Sequence, residues 1–82
     1  MTIKILGQGC ADCKNLYENV KQTVAAVGLG AEVEYITDLT KIVLYGVMQV
    51  PALVIDEKVV SVGRVLKPKE IGKLLTDAQH RQ

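Results

Sequence analysis

Apolar residues recur along this chain at two spacings, and the switches between them predict its elements. Thr2 to Leu6 is a short, β-branched, apolar run that ends at Gly7 and reads as a buried strand. From Cys10 onward the apolar positions Cys13, Leu16, Tyr17, Val20, Val24 and Val27 fall on one face of a helix. Lys14, Glu18, Lys21 and Gln22 fall elsewhere, and Gly28 and Gly30 end the helix. Glu32 to Ile36 alternates polar and apolar, the pattern of a half-exposed strand. Asp38 is placed to cap a short helix from Leu39 to Tyr45, closed by Gly46. Ala52 to Ile55 and Lys58 to Val62 form two strands of a hairpin around Asp56-Glu57. Glu57 stands where Gly or Asn is easier, so a different turn type is expected there. Pro68 suits the first position of a last helix with an apolar face of Ile71, Leu74, Leu75 and Ala78; Gln79 to Gln82 is a polar tail expected to fray.

The predicted order is β-α-β-α-β-β-α, an α/β fold. Its first half is a βαβ unit, which implies two parallel strands joined by a right-handed crossover. The hairpin then makes a four-stranded mixed sheet flanked by helices. With 82 residues, 49% of them hydrophobic, the expectation is one domain over residues 1–82. Ten basic and nine acidic residues are mixed along the chain, with a net charge of +1, so no basic block argues for nucleic acid. The aromatics are Tyr17, Tyr35 and Tyr45, with no Phe or Trp, which leaves no platform for stacking bases. No apolar run approaches the roughly 20 residues that span a bilayer. The opening Met-Thr-Ile-Lys lacks the pattern of a secretory leader. A cytoplasmic protein is expected, without membrane or nucleic-acid partners, and as a monomer because nothing marks an oligomer interface.

Two cysteines change the picture. Cys10 and Cys13 are the only ones, as Cys-Ala-Asp-Cys, between the first strand and the first helix. At the first turn of a helix that spacing brings two Cα atoms within disulfide range. The loop such a bridge closes is very small, so it stabilises the fold little. A cytoplasmic pair of this kind reads as redox-active or metal-binding rather than as a staple. The free N–H groups and macrodipole at a helix start favour an anion, here the Cys10 thiolate, the nucleophile of disulfide exchange. Its pKa is expected below the free-thiol value of about 8.5, although Asp12 opposes this and Lys14 is opposite in sign. Cys13, one turn further in, is expected to point into the fold and act as the resolving thiol. Pro51 is the second signal: it opens the third strand, where an X-Pro bond is either cis or an ordinary trans bond at a strand entrance.

The remaining candidates read as structural. Tyr17 and Tyr45 are expected to pack at the core edge, and Met48 to pack or to line the site near Pro51. Arg64 reads as a solvated charge, and His80 lies in the polar tail without a ligand role.

The run Gly-Gln-Gly-Cys-Ala-Asp-Cys, then Val50-Pro51-Ala52, the hairpin and Gly63-Arg64 together resemble the thioredoxin fold. The pattern resembles in particular the small, glutaredoxin-sized branch called redox-active disulfide protein 2. The resemblance covers nearly the whole chain. It implies a thiol-disulfide oxidoreductase that needs no cofactor beyond its own disulfide. It implies Cys10 as nucleophile, Cys13 as resolving cysteine, Pro51 as the cis proline facing them and Val50 as a backbone contact for substrate. Gly63 corresponds to the glycine that keeps the strand edge open, and Gly9 joins the candidate substrate contacts. The implied partners are protein or small-molecule disulfides and a thiol reductant or reductase. The chain departs from thioredoxins at Gly9, where they carry Trp, at Ala11-Asp12, where they carry Gly-Pro, and at Lys4, where they bury an acid. Gln49-Val50-Pro51 and Ser61 to Arg64 keep only part of a glutathione-binding pattern.

A second reading is a metal-binding carrier, since small copper and zinc chaperones also place Cys-x-x-Cys after a first strand. Their order is β-α-β-β-α-β, ending in a strand, and their motif usually has Met where this chain has Gln8. Both differences favour the redox reading. A third reading is a redox-sensing adaptor that binds a partner without turnover.

Overall fold

The computed structural model describes residues 1–80; the last two positions of the expected polar tail, 81 and 82, lie outside the described residues. The elements are β1 (Thr2–Leu6), α1 (Ala11–Val27), β2 (Glu32–Ile36), α2 (Leu39–Leu44), β3 (Ala52–Ile55), β4 (Lys58–Val62) and α3 (Pro68–Gln79). The strands form one four-stranded sheet in the order β2-β1-β3-β4. β1 and β2 are parallel, with Ile3 beside Val33 and Ile5 beside Tyr35. β1 runs antiparallel to β3, and β3 antiparallel to β4. This is the mixed α/β sheet that the hydrophobic pattern predicts.

Alternation along the central strands divides the core. Ile3, Ile5, Leu53 and Ile55 pack against Leu16 and Val20 of α1 and Ile71 and Leu75 of α3. Leu6, Ala52 and Val54 face the other way, against Ile42 of α2. Each of these side chains is at most 2% exposed, and burying one of this size contributes about 1.5–3 kcal/mol. Both layers are therefore held by the same central pair, β1 and β3.

The helix ends follow local chemistry. Gly28 caps α1 in the left-handed conformation, with its N–H bonded to the last turn. Asp38 caps α2 by accepting the Thr40 N–H at 2.9 Å. In α3 the Glu70 carboxylate accepts the Lys67 N–H at the helix start and also meets Arg64 at 3.1 Å. Arg64 is thus an exposed ion-pair partner, as its solvated reading implies.

Three expectations are corrected. Val27 is 53% exposed although it continues the apolar stripe of α1, and Met48 is 94% exposed rather than packed. At the hairpin, Asp56 and Glu57 both take positive φ, 49° and 67°, the mirror-image tight turn that Gly or Asn usually supplies. Tertiary bonds hold Glu57 there. Its carboxylate accepts from the Lys4 ammonium, and from the Tyr45 hydroxyl at 3.1 Å. Asp56 is pinned as well, by the Thr2 N–H to Oδ1 at 2.9 Å and by its own N–H to the Thr2 carbonyl at 2.8 Å.

The same cluster explains a lysine on a central strand. Lys4 Nζ donates to Glu57 and, at 2.9 Å, to the Tyr45 hydroxyl. The bond to Glu57, then that to Tyr45, raises the Lys4 pKa. The bond from Lys4, then that from Tyr45, lowers the Glu57 pKa. This central strand thus carries a cation that is matched by an acid from the hairpin turn.

Candidate active site

The carboxyl end of β1 delivers the chain to a turn, Gly7-Gln8-Gly9, and then to the start of α1. The turn is tied to β2 at two points. The Gly7 N–H donates to the Ile36 carbonyl at 3.0 Å, and the Gly9 N–H to the Tyr35 hydroxyl at 3.1 Å. Gly9 takes φ +86°, which favours glycine. Gly7 is needed for space instead: a Cβ there would lie 2.5 Å from Cys13 Sγ and 2.8 Å from Cys13 Cβ.

Cys10 is the N-cap of α1. Its backbone is extended, its carbonyl accepts the Lys14 N–H at 3.0 Å, and its Sγ accepts the Cys13 N–H at 3.1 Å. A sulfur occupies the place that a serine or aspartate oxygen usually takes at a helix start. Cys10 and Cys13 are joined in a disulfide with Cα atoms 5.0 Å apart. The two sulfurs are not equivalent, since Cys10 is exposed and Cys13 is fully buried in the first turn.

Pairing in the sheet brings the second signal to the same end. Ala52 lies beside Leu6 on one side and beside Val62 on the other. Val50, Pro51 and Gly63 therefore flank the carboxyl end of β1, where the cysteine turn begins. The Val50–Pro51 peptide bond is cis. Pro51 is buried, while Val50 is 38% exposed. Gly63 has φ +73°, donates its N–H to the Pro51 carbonyl at 2.8 Å, and has the Gln49 amide oxygen where a Cβ would sit.

The residues singled out for the site in the sequence thus gather where β1 ends and β3 begins, at one end of the two central strands. A family model described as "Thioredoxin domain" matches residues 1–76. A thioredoxin from Methanothermobacter thermautotrophicus is 37% identical over 76 residues, covering 93% of this chain and 99% of the relative. A thioredoxin from Methanocaldococcus jannaschii is 35% identical over 71 residues, covering 87% of this chain and 81% of the relative. The chain belongs to the thioredoxin family. With the Cys10–Cys13 disulfide in its CxxC arrangement, this thioredoxin-family protein is a thiol-disulfide oxidoreductase. The element order also separates it from the β-α-β-β-α-β metal-carrier fold, because the helix α2 stands between β2 and β3. Among the described residues no helix is long and apolar enough to cross a membrane, and no group of three or more His, Cys, Asp and Glu side chains is placed to hold a metal ion.

Sequence reasoning did not single out Tyr35 or Gln49. The available signal for Tyr35 was its position near the carboxyl end of β2, the parallel neighbour of the strand that leads into Cys10. Its hydrogen bond to Gly9 spans 26 residues and depends on the β1–β2 register. His80, at the end of α3, is exposed and remote in role from the pair.

Proposed function

We propose that Cys10 is the attacking thiol and Cys13 the resolving thiol of a cytoplasmic disulfide reductase. The observation that carries this reading is the asymmetry of the pair: an exposed Cys10 whose sulfur faces the Cys13 N–H, and a fully buried Cys13. When the disulfide is reduced, the same N–H meets a Cys10 thiolate, and a hydrogen bond to a charged acceptor is roughly twice as strong as a neutral one.

In the forward direction the Cys10 thiolate attacks one sulfur of a substrate disulfide. A Cys10–substrate disulfide forms and the other substrate sulfur leaves as a thiolate, which takes a proton from solvent. Cys13 then loses its proton, and its sulfur attacks Cys10 Sγ. The mixed disulfide breaks, the second substrate thiolate leaves, and the Cys10–Cys13 bond is restored. The substrate gains two electrons from the protein and two protons, one released by Cys13 and one taken from solvent. A thiol reductant or reductase must return the electrons. No cofactor beyond the disulfide enters the cycle.

Gly9, Val50, Pro51 and Gly63 are the proposed contact surface for the substrate chain around the reacting sulfur. Their shared position at the end of the sheet where β1 stops and β3 starts, and the exposure of Val50 and Gly63, support this role. An extended peptide meets such a surface through main-chain hydrogen bonds. The substrates are protein or small-molecule disulfides, and the unit acts as a monomeric single domain away from membranes and nucleic acid.

The test is limiting alkylation of the reduced protein followed by peptide mass mapping. Modification of Cys10 well ahead of Cys13 is expected. Preferential modification of Cys13 would reverse the assignment.

A further inference from the structure

Tyr35 is the residue of this site that the exchange chemistry leaves unassigned. Its hydroxyl accepts the Gly9 N–H at 3.1 Å, one residue before Cys10. Its ring lies 5.1 Å from the Tyr17 ring of α1, and its Cε1 would stand 3.7 Å from a Cβ at Gly7, beside the Cys13 side chain. The ring is therefore braced between β2, α1 and the cysteine turn, and the hydroxyl reaches the turn from a fixed base.

We propose that Tyr35 is a positioning residue for disulfide exchange: its hydroxyl keeps Cys10 over the first turn of α1 once the disulfide has opened. The inference rests on Cys10 being the attacking thiol. In the oxidised protein the covalent bond to buried Cys13 already holds Cys10 in place. In the reduced protein that tether is gone. Cys10 is then held by the Cys13 N–H and by a preceding turn with glycine at both ends, which has wide conformational freedom. The Gly9–Tyr35 bond restricts that freedom, so it does more for the dithiol than for the disulfide. Without it the Gly9 N–H turns to water, and the Cys10 thiolate faces the Cys13 N–H and the helix start for less of the time. Both thiolate acidity and the reduced population should fall. The net effect of one neutral hydrogen bond corresponds to about a 2–10-fold change in each equilibrium.

The experiment compares Tyr35→Phe with the parent and with Tyr17→Phe, which keeps the ring pair and removes a hydroxyl that makes no hydrogen bond among the described residues. Three quantities are read: Cys10 thiolate absorbance against pH, the dithiol–disulfide equilibrium in a glutathione buffer, and thermal unfolding of the oxidised form. For Tyr35→Phe the Cys10 titration should move upward and the equilibrium should shift about 2–10-fold toward the disulfide, while the oxidised form melts close to the parent. Tyr17→Phe should leave the titration and the equilibrium unmoved. Parent-like values in Tyr35→Phe overturn the proposal, as does an equal loss of stability in both redox states, which marks a purely structural bond. Should Tyr35→Phe not fold, amide exchange in the unaltered reduced protein decides: Gly9 should exchange more slowly than Gln8, and equal rates overturn the proposal. Limiting alkylation separates the two failures. Cys13 reacting first overturns the assignment of the thiols, whereas Cys10 reacting first beside an unmoved Tyr35→Phe titration overturns only the role of Tyr35.

Discussion

Replacing Gly7 by alanine should weaken the oxidised protein more than the reduced one. Gly7 is buried and its φ lies outside the left-handed region, so space rather than backbone freedom requires glycine there. The added Cβ would fall 2.5 Å from Cys13 Sγ and 2.8 Å from Cys13 Cβ. Overfilling a packed site costs typically about 1–3 kcal/mol. The contact with Cβ moves only with the backbone of α1, so its share of the cost is present in both redox states. The contact with Sγ differs. While bonded to Cys10 the sulfur is held, whereas in the dithiol it can rotate away. If that contact carries about 1 kcal/mol, the equilibrium with a reference thiol moves about 5-fold toward the reduced form. The assay equilibrates parent and Gly7→Ala in glutathione buffers, traps thiols by alkylation and counts them by mass. Thermal unfolding of each form is measured alongside. Both forms of the variant should melt lower than the parent, the oxidised form by more. Unchanged melting would refute the close approach at Gly7, and equal losses with an unmoved equilibrium would refute its dependence on redox state.

Other substitutions test separate parts of the account. Cys10→Ser should abolish exchange, whereas Cys13→Ser should still attack and accumulate a mixed disulfide visible by mass; a Cys10→Ser variant that turns over substrate would contradict the assigned order. Leu16→Ala, in the layer between β1, α1 and α3, should cost about 2–5 kcal/mol in denaturant unfolding, and a value near zero would mean that layer is not packed as described. Glu57 carries a pH prediction. Its folded pKa is lowered, chiefly by Lys4, so its contribution is fully present above the unfolded value of about 4.3 and is lost as pH falls through the lowered value. The raised Lys4 pKa gives the opposite limb, fully present below about 10.4 and lost as pH rises through the raised value. Glu57→Gln should therefore be less stable than the parent at neutral pH, and the two should converge on acidification. Parallel curves of urea midpoint against pH would count against the ion pair.

Much of this fold is legible in one dimension because each element carries its own signal. The alternation in Glu32–Ile36, the helical spacing from Cys13 to Val24 and the capping role of Asp38 act over a few residues, where the chain's local geometry selects the structure. The errors fall where local preference met a distant partner. Glu57 disfavours its turn on propensity alone, yet the turn forms because Lys4 and Tyr45 bind its carboxylate from elsewhere in the fold. Val27 continues the apolar stripe of α1 but is left exposed, and Met48 sits outside the core although it is apolar.

The order of elements, the place of the cysteine pair at a helix start with Cys13 turned inward, and the family to which such a chain belongs are all written in the one-dimensional pattern. Those properties depend on spacing and on residues adjacent along the chain. Which glycine is required for space and which for φ, and that a tyrosine from β2 holds the turn before Cys10, came only with the folded arrangement. Each of these depends on the register between strands and on the packing of α1 across the sheet, distances that no local pattern encodes.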